Sequence, residues 1–230
     1  MKLSLLYKRK IASALTILTT IVFFTSLHAV AQSSKKEDWQ LRKSENGINI
    51  YTRKLPGASI DELKTEYTLH TSLSSIAAVL LDASSYPAWI YACEEGKILT
   101  QVTPTDQFQY QKINMPAPFS DRDAVIHFTI WQDSVTGIVH THSLAAPDYV
   151  PQKAGIVRLS TFDATYQLIP LPNGDVQIIY MLRMDPGGYI PDWLVNWTII
   201  TGPYESTLKM QKQVAKPAYQ NSKLSFIRKP

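Results

Sequence analysis

The sequence predicts an α+β fold in which consecutive hairpins form one antiparallel sheet. Three observations support this prediction. Strand-like alternation of polar and apolar residues recurs in pairs through the middle of the chain, short turn sequences join the members of each pair, and helical periodicity occurs only outside those pairs. Strands joined by short turns must run antiparallel, because a parallel connection needs a long crossover.

The first 31 residues have the pattern of an export signal. Four Lys and Arg residues precede an uncharged apolar run over residues 11–27, and Ala29-Val30-Ala31 supplies a cleavage site of small residues. We therefore expect cleavage before Gln32 and a periplasmic or secreted protein. The alternative is an uncleaved N-terminal helix that anchors the chain in a membrane.

Removal of that segment would leave a chain without net charge. The full sequence holds 23 Lys and Arg residues against 19 Asp and Glu residues, and the four charges lost are all basic. Such a balance argues against nucleic acid as a partner. Cys93 is the only cysteine, so no intrachain disulfide forms, and we interpret it as a buried apolar residue. We expect one monomeric domain over residues 32–222 and a C-terminal tail over residues 223–230.

The first third of the chain predicts a hairpin followed by two short helices. The hairpin turn contains Pro56-Gly57, a strong turn pair. A polar segment that contains Trp39 precedes it and predicts a short helix. In chain order the predicted elements are a helix over 35–43, strands over 47–53 and 59–70, and helices over 72–81 and 84–91.

The middle of the chain predicts three further hairpins. The last of them turns at Asn173-Gly174, a pair that favours the left-handed backbone of tight turns. Ala145 to Gln152 contains two prolines and forms the longest irregular loop, which we expect to gate a cavity mouth. The predicted strand pairs are 97–102 with 107–115, 124–131 with 138–144, and 155–169 with 175–184.

A long C-terminal helix is predicted from Pro191 to about Lys216. Proline suits a first helical turn, because the N–H that it lacks has no partner there. Pro203 interrupts the helix and predicts a kink. Large side chains recur in steps of three or four residues and so share one face: Trp193, Trp197, Ile200, Tyr204 and Leu208.

Three motifs, in this order and spacing, resemble the START (steroidogenic-acute-regulatory-related lipid-transfer) domain. They are Asp82-x3-Tyr86-Pro87-x-Trp89, the run Ser120-Asp121-Arg122-Asp123-Ala124-Val125, and the run from Asp185-Pro186-Gly187-Gly188 to Asn196. The resemblance spans about Trp39 to Tyr219. It implies a helix-grip fold, in which a curved antiparallel sheet wraps around the C-terminal helix and encloses a hydrophobic cavity for one lipid. The last helix and nearby loops would act as a lid.

Period-two alternation then assigns the residues that line the cavity. On each strand we take the more apolar face as the inner one, and the helix contributes its aromatic stripe. The predicted lipid-binding residues are Phe108, Tyr110, Lys112, Ala124, Ile126, Phe128, Ile130, Ile178, Tyr180, Leu182, Trp193, Trp197, Ile200, Tyr204 and Leu208.

Some lipid-transfer members of the family carry an acid–arginine pair that meets a ligand hydroxyl. The resemblance places Lys112 and Phe128 at those two positions, so this chain lacks the pair. Lys112 and Tyr110 remain candidates for contact with a carboxylate or head group, whereas a Lys that reaches solvent is the alternative. Arg122 is best explained as a structural residue that forks onto a carboxylate and the turn backbone.

No catalytic constellation is visible in the sequence. His140 and His142 point the same way on a strand, but no third metal ligand lies nearby. A Gly-x-Ser-x-Gly nucleophile motif does not occur. We therefore expect a non-catalytic protein, without metal or cofactor, that binds and transfers or senses one lipid and contacts membranes transiently. The alternative is a helix-grip enzyme of cyclase or hydrolase type that acts on a hydrophobic substrate. Its candidate catalytic residues would be Lys112, Tyr110 and the two histidines.

Overall fold

Ten strands form one sheet, and its inner face carries the C-terminal helix. The computed structural model describes residues 38–56 and 60–228, except for the side chains of Asp192, Trp193 and Asn196. The predicted signal segment, residues 1–31, lies outside the described residues. In chain order the strands are β1 (Gln40–Glu45), β2 (Ile48–Arg53), β3 (Glu62–Leu69), β4 (Cys93–Thr103), β5 (Asp106–Ile113), β6 (Arg122–Gln132), β7 (Val139–Ala145), β8 (Val157–Arg158), β9 (Thr161–Pro170) and β10 (Val176–Asp185).

The sheet order is β1-β2-β3-β10-β9-β7-β6-β5-β4, and β8 pairs with β6. All pairings are antiparallel except the short one between β6 and β8. The four predicted hairpins are all present. The central pairing of β3 with β10 joins the first hairpin to the last, so the two halves of the chain share one sheet.

Two short helices follow the first hairpin, and two more end the chain. Ser72 caps the first, because its side chain accepts a hydrogen bond from the backbone N–H of Ser75 at 3.1 Å. Pro203 lies within the long helix, which is continuous on both sides of it. The helices are α1 (Leu73–Leu81), α2 (Tyr86–Trp89), α3 (Asp192–Val214) and α4 (Pro217–Gln220).

The predicted helix over residues 35–43 is wrong in its described part, because residues 40–45 form strand β1. This strand lies at the edge of the sheet and pairs with β2 through Gln40 and Thr52 at one end. Its residues are mostly exposed, so polarity made the segment resemble a surface helix. The predicted tail contacts the domain, since Leu224, Phe226 and Ile227 pack against the core.

The core lies between the inner sheet face, α1, α2 and α3. Ile48 and Ile50 of β2, Ile76 of α1 and Ile178 of β10 are fully buried. Cys93 is buried as expected, and burial raises the pKa of its thiol to about 11. No described helix combines the length and apolarity that spanning a membrane would require. The core does not fill the space beneath α3, and a cavity remains there.

Candidate functional site: a cavity beneath the C-terminal helix

A cavity of about 310 Å³ lies between the inner sheet face and α3. This volume is at the lower end of the range of small-molecule sites, about 300–1,000 Å³. Most of its wall is apolar or aromatic. Three of its lining residues, Asn114, Pro116 and Trp197, are exposed, so they mark the place where the cavity reaches solvent. We call this end the mouth.

The sheet contributes alternate residues of six strands. On β10 these are Tyr180, Leu182 and Met184, and on β9 they are Phe162, Ala164 and Tyr166. Paired residues on neighbouring strands point to the same face, so the register Tyr180–Tyr166 and Leu182–Ala164 continues the wall from strand to strand. The other four strands contribute Leu63 and Tyr67 of β3, Arg122, Ile126 and Phe128 of β6, Gln109, Gln111 and Ile113 of β5, and Ser143 of β7.

The inner-face prediction is correct for β6 and β10. Ile126, Phe128, Tyr180 and Leu182 line the cavity. The remaining predicted residues of these two strands share that face but belong to the filled core around the cavity. They are Ala124, Ile130 and Ile178.

The inner-face prediction is wrong for β5. The structure turns Gln109 and Gln111 toward the cavity, and Phe108, Tyr110 and Lys112 toward the outer face. The amides are inside because α1 ends there. Gln109 accepts a hydrogen bond from the Tyr86 hydroxyl at 2.6 Å, and Gln107 donates to the Leu81 carbonyl at 2.9 Å. The last carbonyls of a helix lack partners within it, and these glutamines supply them.

The three outward residues of β5 lie beneath a loop that crosses the outer face. We call residues 146–158, which end with the two-residue strand β8, the cover loop. Tyr149 of this loop stacks on Phe108 with ring centroids 3.9 Å apart. Lys153 lies 4.4 Å above the Tyr110 ring. The predicted gate, Ala145 to Gln152, lies almost entirely within this loop. None of its residues lines the cavity, so that prediction is wrong.

Lys112 is bound by two carboxylates on the outer side. Its Nζ lies 2.5 Å from Glu94 and 3.0 Å from Asp121. Hydrogen bonds from Lys112 to Glu94 and Asp121 raise the pKa of the ammonium group. The alternative of a Lys that serves the surface fits this geometry, whereas contact with a ligand head group in the cavity does not.

Apart from Trp197, the described residues of the predicted stripe on α3 do not line the cavity. Tyr204 accepts a hydrogen bond from Asn46 at 2.7 Å and lies under Lys43, so it faces the β1–β2 turn. Ile200 and Leu208 pack against the core. Trp197 lines the mouth and is 50% exposed, whereas the side chain of Trp193 lies outside the described residues.

Small residues of α3 lie over the cavity instead. Thr198, Gly202 and Ser206 recur in steps of four and all line it. A cavity is space that side chains leave unfilled, so these small residues make room for it between larger lining residues such as Val195 and Ile199. This small-residue spacing was the signal in the sequence that could have located the face. Leu194 and Met210 close the two ends of the same face.

Arg122 lines the cavity near the mouth and fastens the turn before α3. It donates hydrogen bonds to the carbonyls of Ser120, Pro186 and Gly187, at 2.5, 3.2 and 3.0 Å. Burial lowers the pKa of the guanidinium group. The predicted role of Arg122 in fixing structure agrees with these contacts, but the predicted carboxylate partner is wrong among the described residues. The neighbouring Asp123 binds Arg158 of the cover loop at 2.6 Å instead.

The residues named for the enzyme alternative, Lys112, Tyr110, His140 and His142, do not line the cavity. His142 pairs with Asp163 at 2.9 Å, and His140 stacks on Trp131, both on the outer face. Within the described residues, no group of three or more His, Cys, Asp or Glu side chains is arranged to hold a metal ion. The titratable groups that line the cavity are Asp61, Arg122 and the tyrosines Tyr67, Tyr86, Tyr91, Tyr166 and Tyr180.

Comparison with known proteins agrees with this architecture. The START domain model matches residues 29–217. An uncharacterised protein of Pseudomonas aeruginosa is 32% identical over 199 residues, which cover 86% of this chain and 97% of that protein. The phosphatidylcholine transfer protein of Rattus norvegicus is 25% identical over 170 residues, covering 72% and 78% of the two chains.

Solved structures show the same fold. The crystal structure of a STAR-related lipid transfer protein fragment from Xanthomonas axonopodis superposes with a TM-score of 0.72 at 30% identity. The match covers 77% of this chain and 99% of that one. The predicted helix-grip fold is thus confirmed, with a sheet that stays open at its edges. The match to the family model, the sequence relatives and the solved structure lead to one conclusion: the chain belongs to the START domain family.

Proposed function

We propose that this protein binds one lipid or similar hydrophobic molecule in the cavity beneath α3 and carries it without chemical change. The observation that supports the proposal is the cavity itself, which has largely apolar walls and a single helix as its roof. Each buried CH₂ group contributes about 0.8 kcal/mol, so an apolar wall suffices for binding. The relative named as a phosphatidylcholine transfer protein supports a lipid as the class of ligand.

Ligand exchange requires α3 to move, because this helix covers the cavity. The turn before it contains Gly187 and Gly188, both with positive φ angles of 62° and 64°. Glycine adopts this backbone without steric cost, so the turn is a suitable hinge. Arg122 holds the hinge by two carbonyl contacts, which must be exchanged or carried along when α3 opens.

Aromatic side chains beside the mouth support transient contact with a membrane. Tyr189 is 84% exposed, and Trp197 is 50% exposed within the cavity wall. Tyr and Trp rings favour the boundary between lipid head groups and water, because one end of each ring system is polar. We further propose that a monomer acts after export, in the periplasm or outside the cell, as the N-terminal segment predicts.

Native mass spectrometry of the protein purified from its own host tests the proposal. We expect one hydrophobic molecule per chain, which extraction would then identify. A second assay, transfer of a fluorescent lipid between two vesicle populations, separates carriage from simple storage. A protein that is empty and also takes up no member of a lipid panel would contradict the proposal and redirect attention to an enzyme or a partner-binding domain.

A further inference from the structure

Two tyrosines close the inner end of the cavity. Along β10 the lining residues run from Met184 at the mouth side to Tyr180, and the next inward residue, Ile178, is fully buried in the core. Along β9 the corresponding sequence ends at Tyr166. Tyr180 and Tyr166 are paired across the two strands, with ring centroids 4.5 Å apart. The pair therefore forms a floor opposite the mouth.

The hydroxyl groups of the floor make no hydrogen bond with another described residue. This separates them from two other cavity tyrosines: Tyr67 contacts the Met210 sulfur at 3.2 Å, and Tyr86 donates to the Gln109 side chain at 2.6 Å. Polar groups enclosed in a protein are normally paired, so the two unpaired hydroxyls of the floor, which belongs to the cavity wall, indicate a partner inside the cavity.

The surroundings of the floor favour an uncharged partner. Burial raises the pKa of both Tyr166 and Tyr180, so the phenols stay neutral at physiological pH. The titratable groups that influence them are other tyrosines, Tyr67 and Tyr86 among them. Arg122 belongs to the mouth side, where it contacts the turn before α3. A charged group at the floor would lose its hydration without a counterion, which is costly.

We propose that Tyr166 and Tyr180 bind one neutral oxygen-bearing group, a hydroxyl or carbonyl, at the inner end of the ligand. This inference rests on the proposed function and specifies its ligand class: an uncharged hydrophobic molecule with one such group, seated polar end inward. Its apolar remainder runs toward Leu182 and Phe162 and the mouth. The volume of about 310 Å³ suits a small molecule of this kind.

A matched pair of probes, decanol and decane, tests the assignment. Their binding is measured by headspace partition over the protein and over variants in which the phenol hydroxyls are removed. We expect Tyr166→Phe with Tyr180→Phe to weaken decanol binding about tenfold, because two neutral hydrogen bonds are lost. Decane binding should stay the same. Each single variant should show part of this loss of decanol affinity.

Tyr110→Phe is the control, because it also removes a buried phenol hydroxyl, but one that lies on the outer face of β5 and not in the cavity wall. It should leave the ratio of decanol to decane affinity unchanged. An unchanged ratio in the double variant would overturn the inference, and ordered water at the floor would then be the partner. Tighter, tyrosine-dependent binding of decyl phosphate would overturn the choice of a neutral group. If the folded protein binds neither decanol nor decane, the proposed function itself fails.

Discussion

The inner and outer faces of β5 and β6 both bury polar residues, but they satisfy them differently. On the inner face Gln109 and Gln111 are neutral amides in a cavity wall. On the outer face the buried carboxylate of Asp123 accepts two hydrogen bonds from Arg158, at 2.6 and 3.0 Å. The buried carboxylate is thus paired with a full charge on the filled outer face, whereas the inner face carries neutral amides and Arg122, which is bound by backbone carbonyls. The ion pair on the outer face stabilises the sheet, whereas the inner face can adapt to a ligand.

The largest effect should follow from breaking the outer ion pair. Asp123→Asn leaves Arg158 buried without its carboxylate, and loss of one partner of a buried pair costs about 3–5 kcal/mol of unfolding free energy. Urea unfolding measures this loss. Ligand affinity per folded molecule should not change, because neither residue lines the cavity. A variant with normal stability would contradict the role assigned to the cover loop.

A smaller loss of stability should follow from Phe108→Ala, also on the outer face. The change removes the stack of Phe108 between His127 and Tyr149, at 4.6 and 3.9 Å. We expect a decrease of about 2 kcal/mol, below the 3–5 kcal/mol of a fully buried phenylalanine. Thermal melting and lipid titration distinguish the two faces here. Weaker lipid binding at unchanged stability would instead indicate that Phe108 contacts the ligand in the cavity.

Two tryptophans with nearly equal exposure give the sharpest comparison. Trp197 is 50% exposed at the mouth, and Trp131 is 48% exposed on the outer face beside His140. Trp197→Ala should weaken lipid binding about tenfold, through lost apolar contact, with little change in melting temperature. Trp131→Ala should leave binding unchanged. If lipid titration and thermal melting show equal effects of the two substitutions, Trp197 does not belong to the binding site.

The smallest effect concerns pH and the outer charges. A hydrogen bond from the Met115 N–H, together with Lys112, lowers the pKa of Asp121. A lowered pKa stabilises the folded state above the unfolded value of about 3.9, and the gain disappears as pH falls through the folded pKa. Asp121→Asn should therefore flatten the acid limb of the stability curve by less than about 1 kcal/mol. Unfolding between pH 5 and pH 2, in about half-unit steps, measures this change. An acid limb as steep as in the parent protein would exclude the contribution.

The sheet was predictable because turn chemistry and alternation are local properties. Asn173-Gly174 specifies its hairpin without reference to the rest of the chain. Strand β1 was not predictable in this way, because an exposed edge strand has no buried face and so lacks the alternation that identifies strands. Only its pairing with β2 makes it a strand.

The cavity was predictable only where one strand face is buried and the other is not. Phe128 satisfies this condition, since its neighbours Thr129 and His127 are only partly buried. On β5 the outer residue Tyr110 is buried as fully as the inner amides, because the cover loop and α1 lie on opposite sides, and hydrophobicity then selected the wrong face. Tyr166 was missed, although Phe162, Ala164, Tyr166 and Leu168 alternate with polar residues on β9.

The enclosure of β5 and β6 between two packed layers has a mechanical consequence. Five consecutive residues of β6, Arg122 to Ile126, are buried, whereas the outward residues of β10 are only partly so. A strand clamped on both faces cannot bend without compressing close-packed side chains, and protein interiors have low compressibility. This side of the cavity is therefore rigid. A bulky ligand must gain space by displacing α3 or the more deformable β9–β10 wall.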